Sequence, residues 1–154
     1  MRYVGLLIIA AAAAGMLSDY VHRLRADARA YTLIGKLMRS IEYGIGKLSL
    51  APSGICAMLT KSSDAELRGL SELICRPSEA DKIGIIDEND RKRLVKYLSE
   101  LGRGSRERET ESAKTQAEYF EKTGAQKGTA CEKRVRTAGL IYGASVVSAL
   151  IILA

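Results

Sequence analysis

The chain has no tryptophan, one phenylalanine, one histidine, two prolines and three cysteines in 154 residues. These scarcities exclude whole classes of protein. The single histidine, His22, stands beside Arg23, so there is no HExxH, no histidine pair at metal-ligand spacing and no base to activate a serine or cysteine nucleophile. Cys56, Cys75 and Cys131 are odd in number and contain no CxxC. They suggest neither a disulfide framework nor a zinc cage, but small buried or half-buried thiols in a reducing compartment. No GxxxxGK[ST], no GxSxG and no GxGxxG after a strand pattern occurs, and Gly102, Arg103, Gly104 is too short to cradle phosphate. The carboxylates fall on helix faces expected to be solvated, whereas acid–base chemistry needs two groups in a water-excluding cleft. Neither enzyme activity nor a bound cofactor or metal is expected.

What is present is charge in the middle and apolar sequence at the ends. The formal charge is +6, from 24 Lys and Arg against 18 Asp and Glu, and nearly all of these residues lie between the two ends. A positive balance suits anionic headgroups, an acidic partner or nucleic acid. Nucleic acid is the poorest fit, because basic and acidic residues alternate and aromatics are not interleaved with them.

Residues Tyr3 to Leu17 carry no charge. Fifteen helical residues reach about 22 Å, short of a hydrocarbon core of about 30 Å. Thr137 to Ala154 is also uncharged. At about 27 Å it is nearly a full span, and it contains a GxxxG at Gly139 and Gly143. Arg23 and Arg25 follow the first segment, and Lys133, Arg134 and Arg136 precede the second. These form a basic collar that places the body on the cytoplasmic side of a membrane and marks lipid as a partner. The expected organisation is an N-terminal membrane anchor over 1–18, a cytoplasmic helical domain over 19–136 and a C-terminal transmembrane helix over 137–154. The alternative is an extracytoplasmic adaptor whose first segment is a cleaved signal peptide, with small residues near Ala12 to Ala14. We favour a retained anchor, because apolar periodicity continues straight out of it.

That periodicity runs through Leu24, Tyr31, Ile34, Leu37, Met38, Ile41, Ile45 and Leu48 at three- and four-residue steps, without proline until Pro52. It predicts a long amphipathic stem, weakened near Gly44 and Gly46 by about 1 kcal/mol each. Pro52 suits the first turn of a helix bearing Ile55 and Leu59. Asp64 is a fair N-cap for a helix with Leu67, Leu70, Leu73 and Ile74, closed by Pro77. Asp87, Glu88, Asn89 and Asp90 should open, as a solvated acidic start, a helix carrying Leu94, Val95, Leu98 and Leu101. The alternating ligands, central Gly and final Glu of a calcium loop are missing there. Ser105 should cap a long polar helix with Ala113, Ala117 and Phe120 as sparse apolar positions, of uncertain continuity at Gly124 and Gly128. The fold class expected is all-α, a helical bundle on one modest core.

The layout and several short motifs resemble the stage III sporulation protein AB family. The points of likeness are Ile41, Glu42, Tyr43, Gly44 followed by Pro52; Leu101, Gly102, Arg103 with Arg106 and Glu107; and Glu132, Lys133, Arg134, Arg136 leading to Gly139, Leu140 and Gly143. Ser105 and Glu109 stand where the family usually has Asp and Gln. The resemblance implies two membrane segments around a helical body similar to a domain of the type II secretion F platform protein. It implies a non-enzymatic platform subunit of the mother-cell to forespore channel, in the mother-cell membrane. The implied partners are a secretion-type ATPase, stage III sporulation protein AA-like, and other membrane subunits of the complex. The segment Arg103, Arg106, Glu107, Arg108 and Glu109 is the candidate docking surface for that ATPase.

Overall fold

A computed structural model describes the backbone of residues 2–47, 51–82 and 86–153, and the side chains of 11–47, 51–79 and 86–148. The described residues are all-α: α1 (Arg2–Lys47), α2 (Pro52–Thr60), α3 (Ala65–Cys75), a short 3-10 helix (Pro77–Lys82), α4 (Glu88–Glu100) and α5 (Arg106–Leu153), with no strand among them. The chain divides into two compact units, Arg29–Ala125 and Met1–Ala28 with Gln126–Ala154. The central unit is thus shorter at both ends than the 19–136 body expected from composition. Leu48 of the stem stripe lies outside the described residues.

Helix boundaries follow local chemistry. Pro52 occupies the first turn of α2, where its missing N–H leaves no helical bond unmade. The Asp64 carboxylate accepts the N–H groups of Glu66 at 2.9 Å and Leu67 at 3.4 Å, satisfying two of the donors orphaned at the start of α3. α3 closes where the Arg76 N–H reaches the Glu72 carbonyl at 2.8 Å, and Pro77 follows.

In the central unit each helix contributes one stripe to a shared core. Tyr31, Ile34, Leu37, Met38, Ile41 and Ile45 of α1 meet Ile55 and Leu59 of α2, Leu67, Leu73 and Ile74 of α3, Leu94, Tyr97, Leu98 and Leu101 around α4, and Ala113, Ala117 and Phe120 of α5. The Phe120 ring lies 6.2 Å from that of Tyr31 and packs edge-on to Tyr119 at 5.3 Å. The helices α1 and α5 approach closely because the seam between them is built from small residues. A Cβ on Gly35 would lie 2.8 Å from Glu121 Cγ, and one on Gly124 would lie 3.1 Å from the Thr32 backbone nitrogen and 3.3 Å from Tyr31 Cβ. Over the seam the Arg39 guanidinium grips Glu121 through two bonds of 3.0 Å and reaches Glu42 at 3.1 Å.

One point the sequence left open is settled and one expectation is corrected. The last helix is continuous through Gly124 and Gly128. Each costs about 1 kcal/mol of propensity, but burying a side chain the size of Phe120 contributes about 1.5–3 kcal/mol, so packing prevails. The acidic start of α4 is not uniformly solvated. Asp87, Glu88 and Asn89 are exposed, but Asp90 is only 8 % exposed. Its two carboxylate oxygens accept the Tyr31 and Tyr119 hydroxyls, each at 2.6 Å. Asp90 lies four residues before Leu94 and therefore on the buried stripe of its helix. The Tyr31 hydroxyl accepts in turn from the Asp87 N–H at 3.2 Å, fastening the start of α4 onto α1 and α5. Arg93 extends this contact, its guanidinium 3.8 Å above the Tyr119 ring and its Nε donating to Gln116 at 2.7 Å.

In the other unit the Lys127 ammonium reaches Asp27 at 3.0 Å, and Cys131 is buried. Met16, Leu140, Ile141 and Val147 are 77 %, 70 %, 63 % and 55 % exposed. Among the described residues no helix is long and apolar enough to cross a membrane. The expected anchors over 1–18 and 137–154 fall in part outside the described side chains, at residues 1–10 and 149–154.

Candidate partner interface

The candidate docking segment begins where α4 ends. Leu101 is buried and anchors the chain to the core, while Gly102 turns it with φ of 85°, a conformation that a side chain would strain. The Arg103 N–H bonds the Glu100 carbonyl at 3.2 Å. At the start of α5 the Ser105 hydroxyl accepts the Arg108 N–H at 3.4 Å, and the Glu109 N–H donates to the Ser105 carbonyl at 2.9 Å. The Glu109 side chain reaches back across the junction, where its Oε1 accepts the Gly104 N–H at 2.8 Å. This arrangement is related to a capping box, with the reciprocal carboxylate one position later in the helix.

The five candidate residues therefore separate into two roles. Arg103, Arg106, Glu107 and Arg108 are exposed. The three arginines and Glu107 make no ion pair among the described residues. Glu109 is 8 % exposed and braces the turn instead of facing solvent. Its position explains this, since Glu109 precedes Ala113 by four residues and Ala113 precedes Ala117 by four, placing all three on one buried stripe. The carboxylate that sequence reasoning assigned to the surface is what holds the arginines on a fixed turn.

Beside the turn lies a cleft of about 400 Å³ lined by Tyr97, Glu100, Arg103, Gly104, Arg108, Glu109 and Ser112. Tyr97 is 7 % exposed, and its hydroxyl is buried without a hydrogen-bond partner among the described residues. Sequence reasoning passed over Tyr97, although its place three residues after Leu94 sets it on the same stripe. Among the described residues no group of three or more His, Cys, Asp or Glu is placed to hold a metal ion.

The collar residues Arg23 and Arg25 of α1, and Lys133, Arg134 and Arg136 of α5, are all exposed and belong to the same unit. None of them forms an ion pair among the described residues. In that unit Tyr142 of α5 lines, with Leu17, Val21, His22 and Arg25 of α1, a cleft of about 310 Å³.

Three tyrosines have hydroxyls pushed above their ordinary range. For Tyr31 the first cause is burial and the second its bond to Asp90. For Tyr119 the bond to Asp90 comes first and burial second. For Tyr97 burial leads, followed by the negative charges of Glu109 and Glu42. A group whose pKa is raised by folding stabilises the native state fully below its unfolded pKa, here about 10, and loses that contribution as pH climbs through the folded value. The urea midpoint is therefore expected to stay level up to about pH 10 and to fall above it, with tyrosinate absorbance at 295 nm rising together with loss of helicity. Full tyrosinate formation at about pH 11 with helicity and midpoint intact would contradict the coupling.

No family model matches the chain, and no match to it was found among curated proteins or solved structures.

Proposed function

We propose that the chain is a non-enzymatic platform subunit at a membrane, of the kind its resemblance to the stage III sporulation protein AB family implies. It sits in the mother-cell membrane facing the forespore, with its helical body in the cytoplasm, and docks the secretion-type ATPase of the channel complex. The observation that carries this reading is the braced turn, which holds three unpaired arginines outward on a backbone locked from both sides. Exposed charge on a floppy loop contributes little to binding, since ordering it offsets most of the Coulomb gain. A pre-ordered turn avoids much of that cost, and three cations close together also speed encounter with an acidic surface.

Two further observations support the membrane part. The unbroken α1 joins the first apolar segment to the stem, which favours a retained anchor over a separate leader. Leu140, Ile141 and Val147 are exposed on α5 directly beyond the basic collar, where lipid would cover them at a gain of about 25 cal/mol per Å².

Changing Arg103, Arg106 and Arg108 together to Glu tests the docking surface. Acidic residues suit the first turn of a helix, so helicity should be unchanged, and Glu109 is left in place to brace Gly104. Capture of the ATPase in a pull-down should fall roughly tenfold or more, and capture by the native chain should weaken as salt is added. Capture by the triple variant equal to the native chain's, without salt dependence, would remove this turn from the interface.

A further inference from the structure

We propose that Cys56 and Cys75 form a thiol–disulfide site that hydroperoxides oxidise, fastening α2 to α3. The spacing of the two residues carries no hint of pairing, so the inference rests on the packing of the two helices. The Cys56 thiol donates to the Ser71 carbonyl at 3.4 Å. In an α-helix the carbonyl of residue i accepts the N–H of residue i+4, so the Ser71 carbonyl is the helical acceptor for Cys75. The Cys56 sulfur thus sits against the same carbonyl that holds the Cys75 backbone, one turn from the residue it would join. Disulfides need this proximity, with Cα atoms usually 4.4–6.8 Å apart. Cys75 is also the last residue of α3, where the chain leaves helical geometry at Arg76 and can adjust to close the bond.

Accessibility sets the order of events. Cys75 is exposed, Cys56 half-buried, and Cys131 buried in the other unit. Burial, followed by the nearby Cys75 side chain, raises the Cys56 thiol above its ordinary pKa, which slows it as a first nucleophile. The Cys75 thiolate attacks one oxygen of hydrogen peroxide, the O–O bond breaks, and the departing hydroxide takes up the one proton that the thiol released, leaving a Cys75 sulfenic acid and water. The Cys56 sulfur then attacks the sulfenic sulfur. An S–S bond forms, the S–O bond breaks, and the hydroxide leaves as a second water with the Cys56 proton. Two thiol sulfurs have each lost one electron, and the two peroxide oxygens have gained them. The crosslink closes the α2–α3 turn and lowers the entropy of the unfolded chain.

The test is intact-mass and peptide mapping of the full chain treated with hydrogen peroxide, alkylated without reduction. The expected result is a loss of about 2 Da, one Cys56–Cys75 linked peptide, and Cys131 alkylated only after unfolding. Cys56→Ser should stop at the sulfenic acid, captured by dimedone on Cys75, and Cys75→Ser, a change at an exposed position, should show no 2 Da loss. The oxidised native chain should melt several degrees higher than the reduced one. Accumulation of dimedone-labelled Cys75 in the native chain without a linked peptide would overturn the site, as would crosslinking through Cys131 or between chains in its place.

Discussion

Asp90→Ala is expected to cost about 3 kcal/mol of stability, a large share of the roughly 5–15 kcal/mol that holds a domain together. The carboxylate accepts two hydroxyls at 2.6 Å from two different helices, so its removal takes that acceptor from Tyr119 and leaves Tyr31 only its longer 3.1 Å bond to the Asp87 carboxylate. A bond to a charged group contributes about 1.5–3 kcal/mol, and a buried donor left unsatisfied costs about 1–3 kcal/mol. Asp90→Asn retains one acceptor oxygen and should lose about half as much, while Tyr119→Phe, which deletes one donor and leaves the other pair intact, should lose about 1–1.5 kcal/mol. Urea unfolding followed by circular dichroism measures all three, with the midpoint shifting and the slope unchanged. A loss below about 1 kcal/mol for Asp90→Ala would show that the carboxylate is not the clasp between α1, α4 and α5.

Two glycines one turn apart on α5 should respond with opposite signs. At Gly128 nothing lies within 4 Å of an added Cβ, so Gly128→Ala should stabilise by about 1 kcal/mol through helix propensity alone. At Gly124 the added atom meets the Thr32 backbone and the Tyr31 Cβ, neither of which can swing aside. Gly124→Leu must push α1 from α5, and overpacking of this kind costs about 1–3 kcal/mol despite the better propensity. Thermal melts of the two single variants against the native chain give the signs directly. If both variants were stabilised, the close approach of the two helices at Thr32 would be wrong.

The glycines show what periodicity can and cannot reveal. In the sequence Gly124 and Gly128 are equivalent weak points, and each has the same intrinsic cost. They differ only in what lies opposite, and that depends on Tyr31 and Thr32, more than ninety residues away. The docking segment behaves in the same way. The break at Gly102, the cap at Ser105 and the row of arginines are visible as local signals, but the inward turn of Glu109 depends on the Gly104 N–H that it must satisfy. A stricter use of the helical repeat would have found part of this, because Asp90, Tyr97 and Glu109 all occupy positions in register with Leu94 or Ala113.

The sequence by itself determined where helices start and stop and which face of each is apolar. Pro52 and Pro77 lack an N–H, Asp64 supplies a capping carboxylate, and the stripe from Tyr31 to Ile45 repeats at the helical period. Each of these is a property of a few consecutive residues and survives whatever packs around it. Only the tertiary structure decided that Asp90 holds two tyrosines, that Gly124 lets two helices touch, and that the Cys56 thiol meets the Ser71 carbonyl. Periodicity assigns a polar or small residue to a buried face without naming the group opposite it. That group is supplied by another helix, and burial makes the pairing obligatory, since a polar atom withdrawn from water must find its partner within the protein.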